Sequence, residues 1–89
     1  MEKRIINNSA HNRFELDLGD GLAFVVYKIQ DNEITFLHTE VPPEHGGKGI
    51  AALLAKYVLQ YAKTQNLKPI ILCPYIKVFV KRHPEFGIE

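Results

Sequence analysis

The order of elements in the second half of the chain is the feature that most limits its fold. Two apolar segments of strand type, Ile34–Val41 and Leu67–Cys73, flank a segment from Lys48 to Gln65 in which apolar residues recur at helical spacing. A strand, a helix and a strand in series make a right-handed crossover that leaves the two strands parallel. The apolar positions of the helix form one stripe about four turns long: Ile50, Leu53, Leu54, Tyr57, Val58 and Tyr61.

The first half predicts antiparallel strands joined by tight turns. Phe14–Leu18 alternates apolar and polar residues, which is the period of a half-buried strand. Gly19-Asp20-Gly21 is a hairpin turn signal, and Asp31-Asn32 supplies the next turn. Between these turns Leu22–Ile29 is nearly all apolar, with β-branched and aromatic residues. We therefore expect a central strand covered on both faces.

Alternation also assigns the faces of the third strand, Ile34–Val41. One face is predicted to hold Ile34, Phe36, His38 and Glu40, and the other Thr35, Leu37, Thr39 and Val41. Pro42-Pro43 ends the strand, because proline cannot donate a ladder hydrogen bond.

The last segment, Tyr75–Arg82, fits either a strand, from its alternation, or a two-turn helix, which Pro74 in the first turn favours. The whole pattern predicts a single α/β (α+β) domain over residues 1–89. Its mixed sheet has three antiparallel strands, a long helix, a parallel fourth strand and a short C-terminal helix.

Composition excludes several classes of protein. Hydrophobic residues make up 46% of the 89 residues and charged residues 24%, a globular balance. A net charge of +1 argues against nucleic-acid binding. No apolar run approaches the roughly 20 residues that span a bilayer, and the N-terminus lacks the apolar core of a signal peptide. Cys73 is alone, so no intramolecular disulfide can form, which fits the cytoplasm. We expect a cytoplasmic protein, monomeric by default because nothing marks an interface.

The charges are distributed unevenly along the chain. Residues 1–44 carry four Lys or Arg and eight Asp or Glu, whereas residues 45–89 carry seven Lys or Arg and two Asp or Glu. A basic half suits phosphates and an acidic half suits a cationic substrate. Chance on a solvated surface explains the same pattern, so both interpretations stay open.

The segment with the clearest chemistry lies where the third predicted strand gives way to the long helix. Three glycines, Gly46, Gly47 and Gly49, fall within four residues there. Free N–H groups and the positive end of the helix dipole make such a site suitable for anions, and glycine lets the backbone approach a phosphate closely. Lys48 adds a positive charge. The segment matches neither the dinucleotide-binding nor the P-loop fingerprint, and simple turn chemistry is the alternative explanation.

This segment, Glu44–Ala51, resembles the coenzyme A signature Q/R-x-x-G-x-G/A of the GNAT acetyltransferase superfamily, with Gly47 and Gly49 on its two key positions. The wider chain resembles a compact branch of that superfamily, often described as minimal N-acetyltransferases. The matching pieces are His38-Thr39-Glu40-Val41-Pro42, the glycine segment, the helix Ala51–Ala62 and Cys73-Pro74-Tyr75. Two positions depart from the family pattern. Glu44 stands where most members have Gln or Arg, and Gly46 stands where many members have Arg.

The resemblance implies a GNAT-like fold, acetyl-coenzyme A as cosubstrate, no metal and an amine acceptor. It implies cofactor contacts at Thr39, Val41, Glu44, His45, Gly46, Gly47, Lys48, Gly49, Ile50, Ala51 and Lys77. The sequence after His83 is too short for the final strands that shape the acceptor pocket of full-length members, so no particular acceptor is implied. A metal site is not expected, because the histidines and Cys73 lack the spacing of ligand pairs.

Four residues are candidates for catalysis. His38 is a candidate base because histidine titrates near neutral pH, and Glu40, two residues on, is the second choice. Cys73 ends the parallel strand, and the resemblance suggests either an acetyl-cysteine intermediate or a packing role. Tyr75 is a candidate to protonate the leaving thiolate. For each of the four, a hydrogen-bonded, exposed or packed residue without a catalytic role is the alternative.

Three functions follow. The first is a GNAT-type N-acetyltransferase that moves an acetyl group from acetyl-coenzyme A to an unidentified amine, a small molecule or a protein. The second is a coenzyme A-binding module without turnover, such as a sensor or an adaptor. The third is a small α/β interaction domain whose glycine segment is only a turn.

Overall fold

The protein, described over residues 4–86 in a computed structural model, folds into one mixed sheet covered by two helices. The five strands lie across the sheet in the order in which they occur along the chain, and neighbours are antiparallel except for the fourth and fifth strands, which are parallel. This confirms the predicted fold class; the first strand was not predicted. The elements are β1 (Ile5–Asn8), β2 (Arg13–Asp17), β3 (Leu22–Gln30), β4 (Glu33–Glu40), α1 (Ile50–Thr64), β5 (Lys68–Ile71) and α2 (Pro74–Arg82).

Local signals account for the turns and helix ends. Asp31 and Asn32 both have positive φ, 52° and 64°, as a two-residue hairpin between β3 and β4 requires. Asn66, at φ 56°, follows α1 in the left-handed conformation that ends many helices. The C-terminal segment is a helix, because Pro74 at its first turn needs no hydrogen-bond partner for its nitrogen. Within residues 4–86 neither helix is long and apolar enough to cross a membrane.

Both helices contribute to a single core on one face of the sheet. The prediction that the central strand is covered on both faces is therefore wrong. In β3 the side chains of Ala23, Val25 and Tyr27 are buried, whereas those of Phe24 and Val26 on the opposite face are half-buried. The Arg13 guanidinium lies 4.7 Å from the centre of the Phe24 ring and shields part of this helix-free face.

The buried stripe of α1 is rotated from the predicted one. Leu53 and Tyr57 are exposed, while three residues outside the predicted stripe are buried. These are Ala55, Leu59 and Ala62. Two of the three are alanines, which bring the helix close to its neighbours because they have almost no side chain to accommodate.

A bulge in β4 overturns the predicted assignment of faces. Tyr27 pairs with Phe36 and Val26 with His38, so Leu37 is one residue more than β3 can match. The extra residue shifts the alternation beyond it. As a result Thr39 lies on the core side, and His38 and Glu40 lie exposed on the helix-free face, opposite to Ile34 and Phe36.

Candidate active site

The parallel strands β4 and β5 separate halfway along β4. Their pairing runs from Glu33 with Lys68 to Phe36 with Ile71, and β4 continues for four residues beyond it, to Glu40. At the point of separation the N–H groups of Leu72 and Cys73 both donate to the Phe36 carbonyl, each at 3.1 Å. The last half of β4 therefore runs on without β5 beside it.

A buried polar contact joins the two chains just beyond this separation. The Thr39 hydroxyl and the Cys73 thiol lie 3.0 Å apart, and either can donate to the other. Cys73 is 0% exposed and Thr39 is also buried. The Cys73 carbonyl also accepts the Lys77 N–H at 3.0 Å, at the start of α2. The thiol, a candidate nucleophile, is thus enclosed and already hydrogen-bonded.

The glycine segment between β4 and α1 presents a run of free donors. The N–H groups of residues 47–52 donate to no carbonyl or side chain within residues 4–86. Gly47 and Gly49 have φ of 78° and 77°, a conformation that glycine adopts without strain, and a Cβ at either would meet nothing within 4 Å. Free donors at a helix N-terminus, together with the helix dipole, favour the binding of an anion.

His45, one of the implied cofactor contacts, has a partner within the protein. Its Nε2 lies 2.7 Å from Oδ1 of Asp20, in the turn between β2 and β3, and its side chain is only 15% exposed. The hydrogen bond from His45 lowers the pKa of the Asp20 carboxyl, and the charge of Lys48 lowers it further. Neither the sequence motif nor its spacing indicates this contact, because the two residues lie 25 positions apart.

The other predicted cofactor residues in and beside this loop differ in how exposed they are. Glu44 and Lys48 are exposed, whereas Val41 and Ala51 are half-buried. Ile50 is buried in the core, so only its main chain is free to meet a ligand.

His38 and Glu40 form a pair on the helix-free face. Nε2 of His38 lies 2.5 Å from Oε2 of Glu40, and the side chains are 59% and 55% exposed. Cross-strand pairing places His38 beside Val26 and Glu40 beside Phe24. The pair and the buried Thr39–Cys73 contact thus occupy opposite faces of one strand. Tyr75 and Lys77, both exposed, lie in the first turn of α2.

A groove between α1 and α2 is the feature that sequence reasoning missed. Its volume is about 1090 Å³, and it extends from Gly49 along α1 to Pro69 at the start of β5. Lys56 and Lys63 line it from α1, Phe79 from α2, and His83 from the position just after α2. The seven-residue spacing of the two lysines, two helical turns, was the available signal for a basic face. Among residues 4–86 no group of three or more His, Cys, Asp or Glu is placed to hold a metal ion.

Comparisons with known proteins identify the family of this chain. Residues 13–88 match the family of GCN5-related N-acetyltransferases. The NATD1 protein of Bos taurus is 40% identical over 63 residues, which cover 70% of this chain and 56% of that protein. NATD1 of Danio rerio is 30% identical over 84 residues, which cover 91% and 76%. The chain thus spans little more than half the length of the first of these relatives.

A solved structure extends the likeness to the fold. The solution structure of a GCN5-like protein from Staphylococcus aureus superposes with a TM-score of 0.73 at 32% identity, covering 94% of this chain and 83% of that one. The family match covers most of the chain and includes both the glycine segment and the separated strands. The chain therefore belongs to the GCN5-related N-acetyltransferase family.

Proposed function

We propose that this protein binds acetyl-coenzyme A and transfers its acetyl group to an amine. The observation that carries the proposal is the run of six free N–H groups at residues 47–52, which follows the unpaired half of β4 along the chain. Coenzyme A is long, with a diphosphate in its middle and two amides in its pantetheine arm. The loop and the unpaired part of β4 provide donors suited to each.

The glycine loop would hold the diphosphate. Main-chain donors and the helix dipole both favour negative charge there, and Gly47 and Gly49 leave no Cβ in the way. Lys48 is exposed on the same loop and adds a positive charge. The groove that begins at Gly49 supplies further lysines for the nucleotide end, the first being Lys56.

The unpaired half of β4 would bind the pantetheine arm. Residues Leu37–Glu40 have β3 on one side and no β5 on the other, so their main chain can pair with the amides of the arm as a strand would. An arm bound in this way would direct its thioester along β4 toward the region between the strands. Thr39 and Cys73 would then lie on the core side of that region.

The helix-free face would receive the acceptor amine, with His38 as its base. His38 would take a proton as the amine nitrogen bonds to the thioester carbonyl carbon. Glu40, at 2.5 Å, fixes the orientation of the imidazole. As the carbon–sulfur bond breaks, the thiolate takes up a proton, for which exposed Tyr75 is the proposed source. The acetyl group thus passes directly from sulfur to nitrogen.

The covalent alternative predicts a different result for Cys73→Ala. An acetyl-cysteine route would lose nearly all turnover, because the nucleophile would be missing. We expect turnover to remain within about fivefold of the wild type, since the Cys73 thiol is buried and bonded to Thr39. Steady-state kinetics of the purified variant measure this, and a mass increase of one acetyl group on Cys73 in the wild type would support the covalent route instead.

Titration of the wild-type protein with acetyl-coenzyme A tests the function itself. We expect saturable binding by calorimetry that weakens as salt increases, because phosphate contacts are screened. Turnover is measured as the release of the free thiol of coenzyme A in the presence of each of a panel of primary amines. Binding with no turnover for any amine would favour a coenzyme A-binding module. Absence of binding would leave a small interaction domain.

A further inference from the structure

We propose that Asp20 is a positioning residue for the glycine loop, the segment between β4 and α1 that contains Gly46, Gly47 and Gly49. By holding His45, it would keep the glycine loop in the shape that presents its N–H groups to the diphosphate. The proposal depends on the function proposed above, which it deepens by adding a residue outside the glycine segment.

The loop has little else to fix its shape. Its first turn is closed by two main-chain hydrogen bonds, His45 N–H to the Pro42 carbonyl at 2.9 Å and Gly46 N–H to the Pro43 carbonyl at 3.1 Å. The next main-chain hydrogen bond along the sequence runs from the Leu53 N–H to the Gly49 carbonyl, at 3.0 Å. Three glycines lie in this short interval, and glycine loses more conformational freedom on ordering than any other residue. A contact with another part of the protein would therefore help to hold such a loop in one conformation.

The turn that carries Asp20 is itself well fixed. Leu18 N–H donates to the Gly21 carbonyl at 2.9 Å, and Gly19 N–H donates to the Asp17 carboxylate at 2.8 Å. The turn also packs against the start of the loop, since a Cβ at Gly21 would lie 3.3 Å from the Pro42 ring. The contact from Asp20 to His45, at 2.7 Å, therefore connects a hydrogen-bonded hairpin turn to a loop rich in glycine.

The sign of the charge separates positioning from simple electrostatics. A carboxylate beside a diphosphate site repels the ligand, so its charge alone would weaken binding. If Asp20 acted only through its charge, Asp20→Asn would bind coenzyme A more tightly and Asp20→Ala would do the same. If it acts by holding His45, asparagine can still accept the hydrogen bond, whereas alanine cannot.

The experiment compares Asp20→Ala, Asp20→Asn and the control Asp31→Asn. Asp31 is an exposed carboxylate in the other hairpin turn, and asparagine tolerates its φ of 52°. Calorimetry gives the Kd for coenzyme A, and the backbone ¹⁵N heteronuclear NOE at Gly46, Gly47 and Gly49 reports the order of the ligand-free loop. We expect Asp20→Ala to raise the Kd about tenfold and to lower the NOE. We expect both asparagine variants to stay within about threefold of the wild type.

The NOE is measured on the ligand-free protein, so it tests whether Asp20 orders the loop even if coenzyme A does not bind. An unchanged NOE in Asp20→Ala would overturn the proposal, and so would a Kd that falls in both Asp20 variants. An Asp20→Asn variant as weak as Asp20→Ala would overturn the role of the hydrogen bond. If the wild type binds no coenzyme A while the loop loosens in Asp20→Ala, the proposed function fails and the hold of Asp20 on the loop is supported.

Discussion

Replacing Gly47 with aspartate is expected to abolish measurable binding of acetyl-coenzyme A, whereas asparagine is expected to weaken it by less than about tenfold. Gly47 has φ of 78° with open space around its Cβ position, so neither side chain clashes. Asparagine and aspartate tolerate this left-handed conformation better than most residues, so both variants carry a similar cost. The two differ mainly in one negative charge.

That charge decides the magnitude. Two unit charges about 4 Å apart interact by about 4 kcal/mol at an effective dielectric constant of about 20, which corresponds to roughly three orders of magnitude in Kd. Calorimetric titration of both variants measures the difference, and urea unfolding checks that both remain folded. Equal affinity for the two variants would contradict the diphosphate site at Gly47. A difference that shrinks at high salt would support it further.

Elements with strong local signals were predictable from the sequence. The long helix follows from its apolar period, and the turn at Asp31-Asn32 from two residues that tolerate positive φ. Pro74 correctly favoured a helix over the strand alternation that follows it. In each case the deciding interaction lies within a few residues, so a single sequence contains it.

The faces of β4 were not predictable in the same way. Ile34–Val41 could alternate without interruption, and no glycine or proline marks the extra residue. The bulge at Leu37 depends on how β4 pairs with β3, which is a tertiary property. The consequence for the candidate site is large, because the bulge places His38 and Glu40 on the helix-free face and Thr39 beside Cys73.

The sequence alone also did not predict which sheet face the helices cover, or which distant side chains form hydrogen bonds. The apolar run in β3 indicated burial on both faces, yet the structure covers the Phe24 side in part with the guanidinium of Arg13. Arg13 also pairs with Glu15, and this hydrogen bond lowers the pKa of the Glu15 carboxyl. Contacts such as Asp20 with His45 join residues far apart in the chain, and a single sequence considered by itself holds no record of them.

Replacing His38 with glutamine is expected to lower kcat for amine acetylation by about 100-fold or more, because glutamine keeps a polar side chain but cannot accept the amine proton as a base. The Kd for acetyl-coenzyme A should change little, since the His38 side chain is exposed on the helix-free face and has no proposed contact with the cofactor. Glu40→Gln should cost less, about tenfold, because the amide can still accept a hydrogen bond from the imidazole at the same position.

A matched control and the choice of acceptor make this prediction decisive. His11→Gln changes another exposed histidine, hydrogen-bonded to Asn8 beside the far edge of the sheet, and should retain wild-type kcat. The loss in His38→Gln should also be smaller for an amine of low pKa, because such an amine is already unprotonated at neutral pH and needs less help from a base. Full kcat in His38→Gln with every amine would place the base elsewhere. An equal loss for amines of high and low pKa would point to acceptor binding, rather than proton transfer, as the role of His38.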